Sequence, residues 1–200
     1  TKAYGAEVVL KGNNFEEAHQ ALKEDREKNP EWIYVSPYDD ADVIAGNATL
    51  GLEIFEQCKE ANLDLKTVVV PVGGGGLISG VSFALKQLKP DIRIVGVQMK
   101  SSPYVYNAWC RYKGLSKDIV EKESRTPLAD GIAIKHPGEL NMPFIYKYVD
   151  DFVIVKEDDV ARAVSLLAER GKLISEGAGA AAFSSILTKK INVDENEVVV

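Results

Sequence analysis

Four consecutive glycines, Gly73 to Gly76, are the residues of this 200-residue chain whose type and spacing best suit chemistry. They follow Thr67-Val68-Val69-Val70-Pro71-Val72 and precede Leu77-Ile78-Ser79-Gly80. A run without Cβ atoms lets the backbone take positive φ and come close to a ligand. The valine-rich run before it reads as a buried parallel strand, apolar on both faces. The run after it reads as the start of a helix, whose free N–H groups and positive dipole end face the turn. Strand, glycines and helix N-terminus together suit a phosphate or another anion. One or two glycines can serve only a tight turn. Four in a row, each with an entropic cost when ordered, ask for more than that.

Other chemistries fit less well. G-x-G-x-x-G matches in no register: from Gly74 the last position is Ser79, and from Gly75 the middle position is Leu77. The acid that would bind a ribose after the next strand is Gln98. No G-x-x-x-x-G-K-[ST] occurs, which argues against a nucleoside triphosphate. His19 and His136 stand far apart, with neither zinc spacing nor a Ser–His–Asp pattern, and read as surface residues. No metal site is expected. Cys58 and Cys110 form no redox or metal pair and read as small apolar fillers in a reducing, cytoplasmic setting. Asp130-Gly131 alone is an ordinary turn. Glu176-Gly177-Ala178-Gly179-Ala180 opens a helix with tiny side chains. Close helix packing and a ligand at the helix start both remain open there.

The elements that must position these residues follow from periodicity. Tyr4 to Leu10 reads as a turn into a strand, Asn14 as the cap of a helix from Phe15 to about Lys28, and Trp32-Ile33-Tyr34-Val35 as a second strand, parallel to the first. Pro30 ends the helix. Ser36 to Asp42 is a polar, Pro-containing connector and the expected boundary, dividing a domain at 1–41 from one at 42–200. A helix from about Val43 to Ala61 carries small residues over 45–51, which favour tight helix–sheet packing over ligand contact. A βαβ unit follows: strand 67–72, helix 77–88, strand 92–98. A helix at 104–109 is broken by Lys113-Gly114, and 124–135 is a loop. Then come a strand at 151–155, a helix at 157–170 with Gly171 just past its end, a helix from the 176–182 run to about Lys190, and a strand at 195–200. Alternating strands and helices predict an α/β fold, a parallel sheet in a three-layer α/β/α arrangement. The ligand site belongs beyond the carboxyl ends of the strands, where the glycines are.

Composition bounds the partners. With 46% hydrophobic and 27% charged residues the chain is ordinary globular material. A net charge of −6 argues against nucleic acid or an anionic membrane as the main partner. No apolar run approaches the length of a membrane span, and no signal peptide is present.

Val-Pro-Val-Gly-Gly-Gly-Gly-Leu-Ile-Ser-Gly at 70–80 resembles the phosphate loop of fold-type II pyridoxal-phosphate enzymes, the tryptophan synthase β-like fold. Tyr4-Gly5-Ala6-Glu7-Val8, Pro37-Tyr38-Asp39-Asp40, the stretch from Val43 to Ile54, Ala129-Asp130-Gly131 and Glu176 to Ala180 fall in that family's order and spacing. Together they are most similar to the threonine dehydratase (threonine ammonia-lyase) and serine racemase branch. The resemblance implies pyridoxal 5'-phosphate as cofactor, with Gly73, Gly74, Gly75, Gly76 and Leu77 holding its phosphate through backbone N–H groups. Gly131 would lie beside the pyridine ring, and Glu176 at the ring edge. It implies a lyase: L-threonine, and L-serine as a second candidate, loses its α-proton and β-hydroxyl and ends as a 2-oxo acid and ammonia. It further implies a cytoplasmic homo-oligomer with a small-molecule amino-acid substrate, serving isoleucine biosynthesis.

The departures are as informative. The family's cofactor-bearing lysine is expected upstream of Thr1, and the serine facing the pyridine nitrogen beyond Val200, so no catalytic residue is expected in these 200 residues. The chain also starts without Met and ends inside an apparent strand, which reads as a fragment of a longer two-domain chain, inactive alone. The metal-binding carboxylates of the racemase relatives would fall near Gln98 and Tyr104, neither of which is a carboxylate. That tilts the reading toward a dehydratase. The rival readings are a racemase or other fold-type II enzyme, a non-catalytic module that keeps the phosphate cradle, and a flavin-phosphate or nucleotide domain.

Overall fold

A computed structural model describes every residue except 14, 116, 117, 125 and 126, and leaves aside the side chains of 15 and 16. The chain divides into two compact units, Thr1–Val35 and Ser36–Val200. The first holds one helix, α1 (Phe15–Lys28). Its expected cap, Asn14, lies outside the described residues. The strands expected at Tyr4 to Leu10 and Trp32 to Val35 are not formed. Residues Lys2–Tyr4 make a single 3-10 turn instead. β-branched and aromatic residues favour a pleated surface only where a neighbouring strand supplies the ladder and the packing. Among the described residues of this unit no ladder exists, and Leu10 and Ile33 stay 90% and 92% exposed.

The second unit carries the sheet. Its elements are α2 (Ala41–Glu60), β1 (Leu65–Pro71), α3 (Gly76–Leu88), β2 (Arg93–Met99), α4 (Tyr104–Tyr112), α5 (Asn141–Tyr148), β3 (Asp151–Val155), α6 (Glu157–Leu166), α7 (Gly177–Leu187) and β4 (Val198–Val199). All strand pairs are parallel, in the order β3-β2-β1-β4. Val70 stands opposite Gly96, and Gly96 opposite Phe152, whose ring fills the space a side chain on Gly96 would need. Strand side chains alternate between two cores. Val68, Val70, Ile94 and Phe152 pack with Ile78, Leu85, Trp109 and Ile145 on one face. Val69, Val95, Val97 and Val155 pack with Val160, Ala163, Ala180 and Ala181 on the other. The three-layer α/β/α arrangement follows from this division.

Several elements differ from the sequence expectation. The small face of α2 packs tightly, but against α3 rather than the sheet: a Cβ on Gly51 would come within 2.9 Å of the Val81 carbonyl oxygen. α4 runs on to Tyr112, and Gly114 takes the positive φ of 73° that ends the segment. After Leu166 the helix widens into a π turn over Leu167–Gly171, so the left-handed position past its end is Lys172, not Gly171. α7 stops at Leu187. Residues 195–197 form a turn rather than strand, because Glu197 N–H donates to the Asp194 carbonyl at 3.0 Å. α5 was not expected at all. Pro143 sits in its first turn, where a missing N–H costs no helical hydrogen bond. Met142, Ile145, Tyr146 and Val149 carry the helical spacing that marks it.

The α2–α3 contact predicts opposite outcomes for two glycines. A Cβ on Gly80 would sit 2.6 Å from the Ala48 nitrogen. Gly80→Ala should therefore cost roughly 2–3 kcal/mol in urea denaturation, the range of an overpacked core. Gly46, exposed in the second turn of α2, has nothing within 4 Å of its Cβ position. Gly46→Ala should gain about 1 kcal/mol in the same measurement.

Candidate functional site

β1 is the point where strand order reverses: the chain leaves it toward β2, and β4 returns on its other side. Crevices beyond the carboxyl end of such a strand are the usual ligand positions of open parallel sheets. Gly73 to Gly76 leave β1 there and lead straight into α3. Gly75 is the N-cap of α3 and takes a φ of 105°, a left-handed conformation that an L side chain rarely adopts.

The space left by the missing Cβ atoms is filled by protein. A side chain on Gly74 would strike the Tyr38 ring, and one on Gly76 would stand 2.8 Å from the Tyr38 carbonyl oxygen. One on Gly75 would stand 2.9 Å from Ile145 Cδ1 and 3.1 Å from Asn141 Cβ. Asn141, fully buried at the start of α5, donates from Nδ2 to the carbonyls of Tyr38 (2.9 Å) and Gly74 (3.2 Å). Gly138 N–H donates to the Gly74 carbonyl as well, at 2.9 Å. The Gly74 carbonyl is thus held on the protein side. By contrast, none of the hydrogen bonds among the described residues is donated by the backbone N–H of Gly73, Gly74, Gly75, Gly76 or Leu77. Donors without backbone partners at a helix N-terminus match the acceptor oxygens of a phosphate.

The connector before α2 is part of this construction. Asp40 caps α2, its Oδ1 accepting from Asp42 N–H at 2.8 Å. The Asp39 carboxylate accepts from Glu139 N–H (3.0 Å) and Leu140 N–H (2.9 Å), which ties the loop before α5 to the glycine turn. Tyr38 donates its hydroxyl to the His136 carbonyl at 3.2 Å. Residues 36–40 therefore belong with the second unit.

The remaining sequence-derived positions gather at the same end of the sheet. A Cβ on Gly73 would lie 3.1 Å from Ile132 Cα and 3.5 Å from the Gly131 carbonyl oxygen. One on Gly131 would lie 3.4 Å from Ala178 Cβ and 3.6 Å from Glu176 Oε1. So Gly73, Gly131 and Glu176, 103 positions apart in sequence from first to last, are neighbours in space. Gly131 and Glu176 are exposed, Gly73 and Leu77 half-buried, and Gly74 to Gly76 buried. Glu176 is the N-cap residue of α7, where a carboxylate faces the positive end of the helix dipole. Sequence reasoning singled out neither Asn141 nor Ile145.

The other candidate side chains serve the packing of the fold. Gln98 is fully buried and its Oε1 accepts from Tyr106 N–H at 2.8 Å, so it caps α4. Burial pushes the Cys110 thiol up from its ordinary value, as befits an inert core cysteine. Among the described residues no cluster of three or more His, Cys, Asp or Glu could hold a metal ion. No helix among them is long and apolar enough to cross a membrane.

Residues 1–200 match the model of the family described as "Pyridoxal-phosphate dependent enzyme". The chain belongs to that family. It is 43% identical over 189 residues to the L-threonine ammonia-lyase of Thermotoga maritima, covering 94% of this chain and 45% of that protein. The structure of the processed form of threonine deaminase isoform 2 from Solanum lycopersicum superposes with a TM-score of 0.83 at 33% identity, covering all of this chain (100%) and 52% of that one. Maize serine racemase superposes with a TM-score of 0.80 at 27% identity, over 94% of this chain and 54% of the other. The chain spans about half the length of the relatives it matches, which are 45% and 52% covered.

The Asn141 clamp is testable by itself. Asn141→Ala removes two buried donor contacts to the Tyr38 and Gly74 carbonyls and should cost about 1–3 kcal/mol. Chemical denaturation measures the loss, and faster amide exchange confined to 73–77 and 138–141 would locate it.

Proposed function

We propose that this chain is the greater part of the cofactor domain of a threonine ammonia-lyase, with the first unit the end of a smaller domain. One observation carries the assignment of the site: Gly131 is a glycine the fold does not require. Its φ is not left-handed, and a Cβ there would meet Ala178 at an ordinary 3.4 Å. A side chain there would project toward Ala178 and Glu176, next to the glycine turn. A flat ring whose phosphate Gly73 to Gly76 and Leu77 would hold could lie beside Gly131.

Pyridoxal phosphate, when bound, supplies the electron sink that lets an amino acid lose its α-proton and its β-hydroxyl. This chain's residues bind and orient. The N–H groups of Gly73 to Leu77, backed by the dipole of α3, hold the phosphate dianion. Gly131 and Ala178, bare or small, would border the bound ring. Glu176 would bring a carboxylate near the bound ring, able to accept a hydrogen bond and to favour a local positive charge.

The identity to threonine ammonia-lyase supports threonine as substrate, with 2-oxobutanoate and ammonia as products. Gln98 and Tyr104 support this over racemisation, since neither offers the metal-ligating carboxylate of the racemase relatives. Two buried free cysteines fit a reducing cytoplasm. A homo-oligomer serving isoleucine biosynthesis completes the proposal.

The full-length protein is expected to release 2-oxobutanoate from L-threonine and to show a visible absorbance that borohydride abolishes. Absence of both would sink the reading, and turnover of serine alone would change the substrate. Gly131→Ala isolates the site: stability of the apo protein should stay within about 0.5 kcal/mol of wild type. Affinity for pyridoxal phosphate should fall about tenfold, because a methyl group intrudes on the ring's space.

A further inference from the structure

Glu157, the first residue of α6, is only 5% exposed. Both of its carboxylate oxygens have protein donors. Oε1 accepts from the Ser101 hydroxyl at 2.7 Å, and Oε2 from the Leu128 N–H at 2.6 Å. A buried carboxylate is tolerated when charge-assisted hydrogen bonds and a helix dipole compensate its desolvation, and both are present here.

What it holds is the segment that carries Gly131. The Leu128 carbonyl lies against α7, 2.7 Å from where a Cβ on Gly177 would be. Three residues on, Gly131 faces Ala178 and Glu176, and Ile132 faces Gly73. The other end is fixed by the neighbouring serine: Ser102, 3% exposed, donates to the Ile134 carbonyl at 3.2 Å. Two adjacent serines after β2 thus reach the two ends of residues 128–134, one through Glu157 and one directly.

We propose that Glu157 is a positioning residue for the cofactor site, setting through Leu128 where Ala129-Asp130-Gly131 stands opposite Gly73 and Glu176. This rests on the cofactor reading above. In the full-length protein Glu157→Ala removes both acceptors. Amide exchange across 128–132 of the apo protein should then speed up about tenfold, while exchange in β1 and β2 is unchanged. Pyridoxal phosphate titrated into that protein should bind about tenfold more weakly. Glu157→Gln keeps the geometry, with Oε1 on Leu128 N–H and the amide donating to Ser101 Oγ, and should return both readings to within about threefold of wild type.

Ser101→Ala, a milder change that frees only Oε1, should move both readings about threefold in the same direction and serves if Glu157→Ala does not fold. Exchange across 128–132 that matches wild type, or a loss that Glu157→Gln leaves unrestored, overturns the proposal. A wild-type protein that takes up no pyridoxal phosphate overturns the cofactor reading together with it. Uptake by wild type and by Glu157→Ala with equal affinity overturns this proposal alone.

Discussion

The structure depends on keeping a row of backbone N–H groups without backbone partners at the end of β1. Backbone donors without partners are unfavourable unless something holds the chain in that shape. Here the holding is done from behind. The sides of Gly74, Gly75 and Gly76 that lack Cβ atoms are filled by Tyr38, Asn141 and Ile145. The Gly74 carbonyl is pinned by Asn141 and by Gly138 N–H. The glycines are therefore short of side chains because protein presses on one side, and that pressure leaves the donors free on the other.

The same constraint explains why α2 and α5 are where they are. Tyr38 reaches the glycines only because Asp40 starts α2 directly after it, and Asp39 holds the loop that leads into α5. α2 then lies on α3 closely enough that Gly51 and Gly80 are needed in the contact. Small residues that could be taken for ligand contacts in the sequence serve helix packing around the turn.

Most of the fold was legible because its signals are local. The βαβ unit around the glycines, β3 and the start of α6 show in runs of apolar residues with period two or near 3.6. The strands of the first unit were misread for the same reason: Trp32 to Val35 has strand propensity, but propensity supplies no partner to pair with. α5 escaped because Pro143 and polar neighbours mask a stripe of four apolar positions. The site residues joined by the turn were legible only as a family pattern. Nothing in the local sequence brings Gly131 and Glu176 beside Gly73, since that adjacency is made by the order of strands in the sheet. Asn141, Ile145 and Glu157 left no signal because a buried amide, an isoleucine and a carboxylate declare their roles only through tertiary contacts.

The glycines of the site fall into two kinds, and the difference bears on function. At Gly74, Gly75 and Gly76 a Cβ would collide with protein, so these positions would be bare even if nothing ever bound. They make the cradle possible without proving an occupant. Gly131 is different, since the fold has room for a side chain there and the chain uses none. The glycine turn reaches Gly131 through Gly73, and Gly131 in turn stands beside Ala178 and Glu176. An anion alone would need the glycine turn only. A flat molecule with an anionic arm would call on both the glycine turn and the bare Gly131, which is why the proposed site joins them.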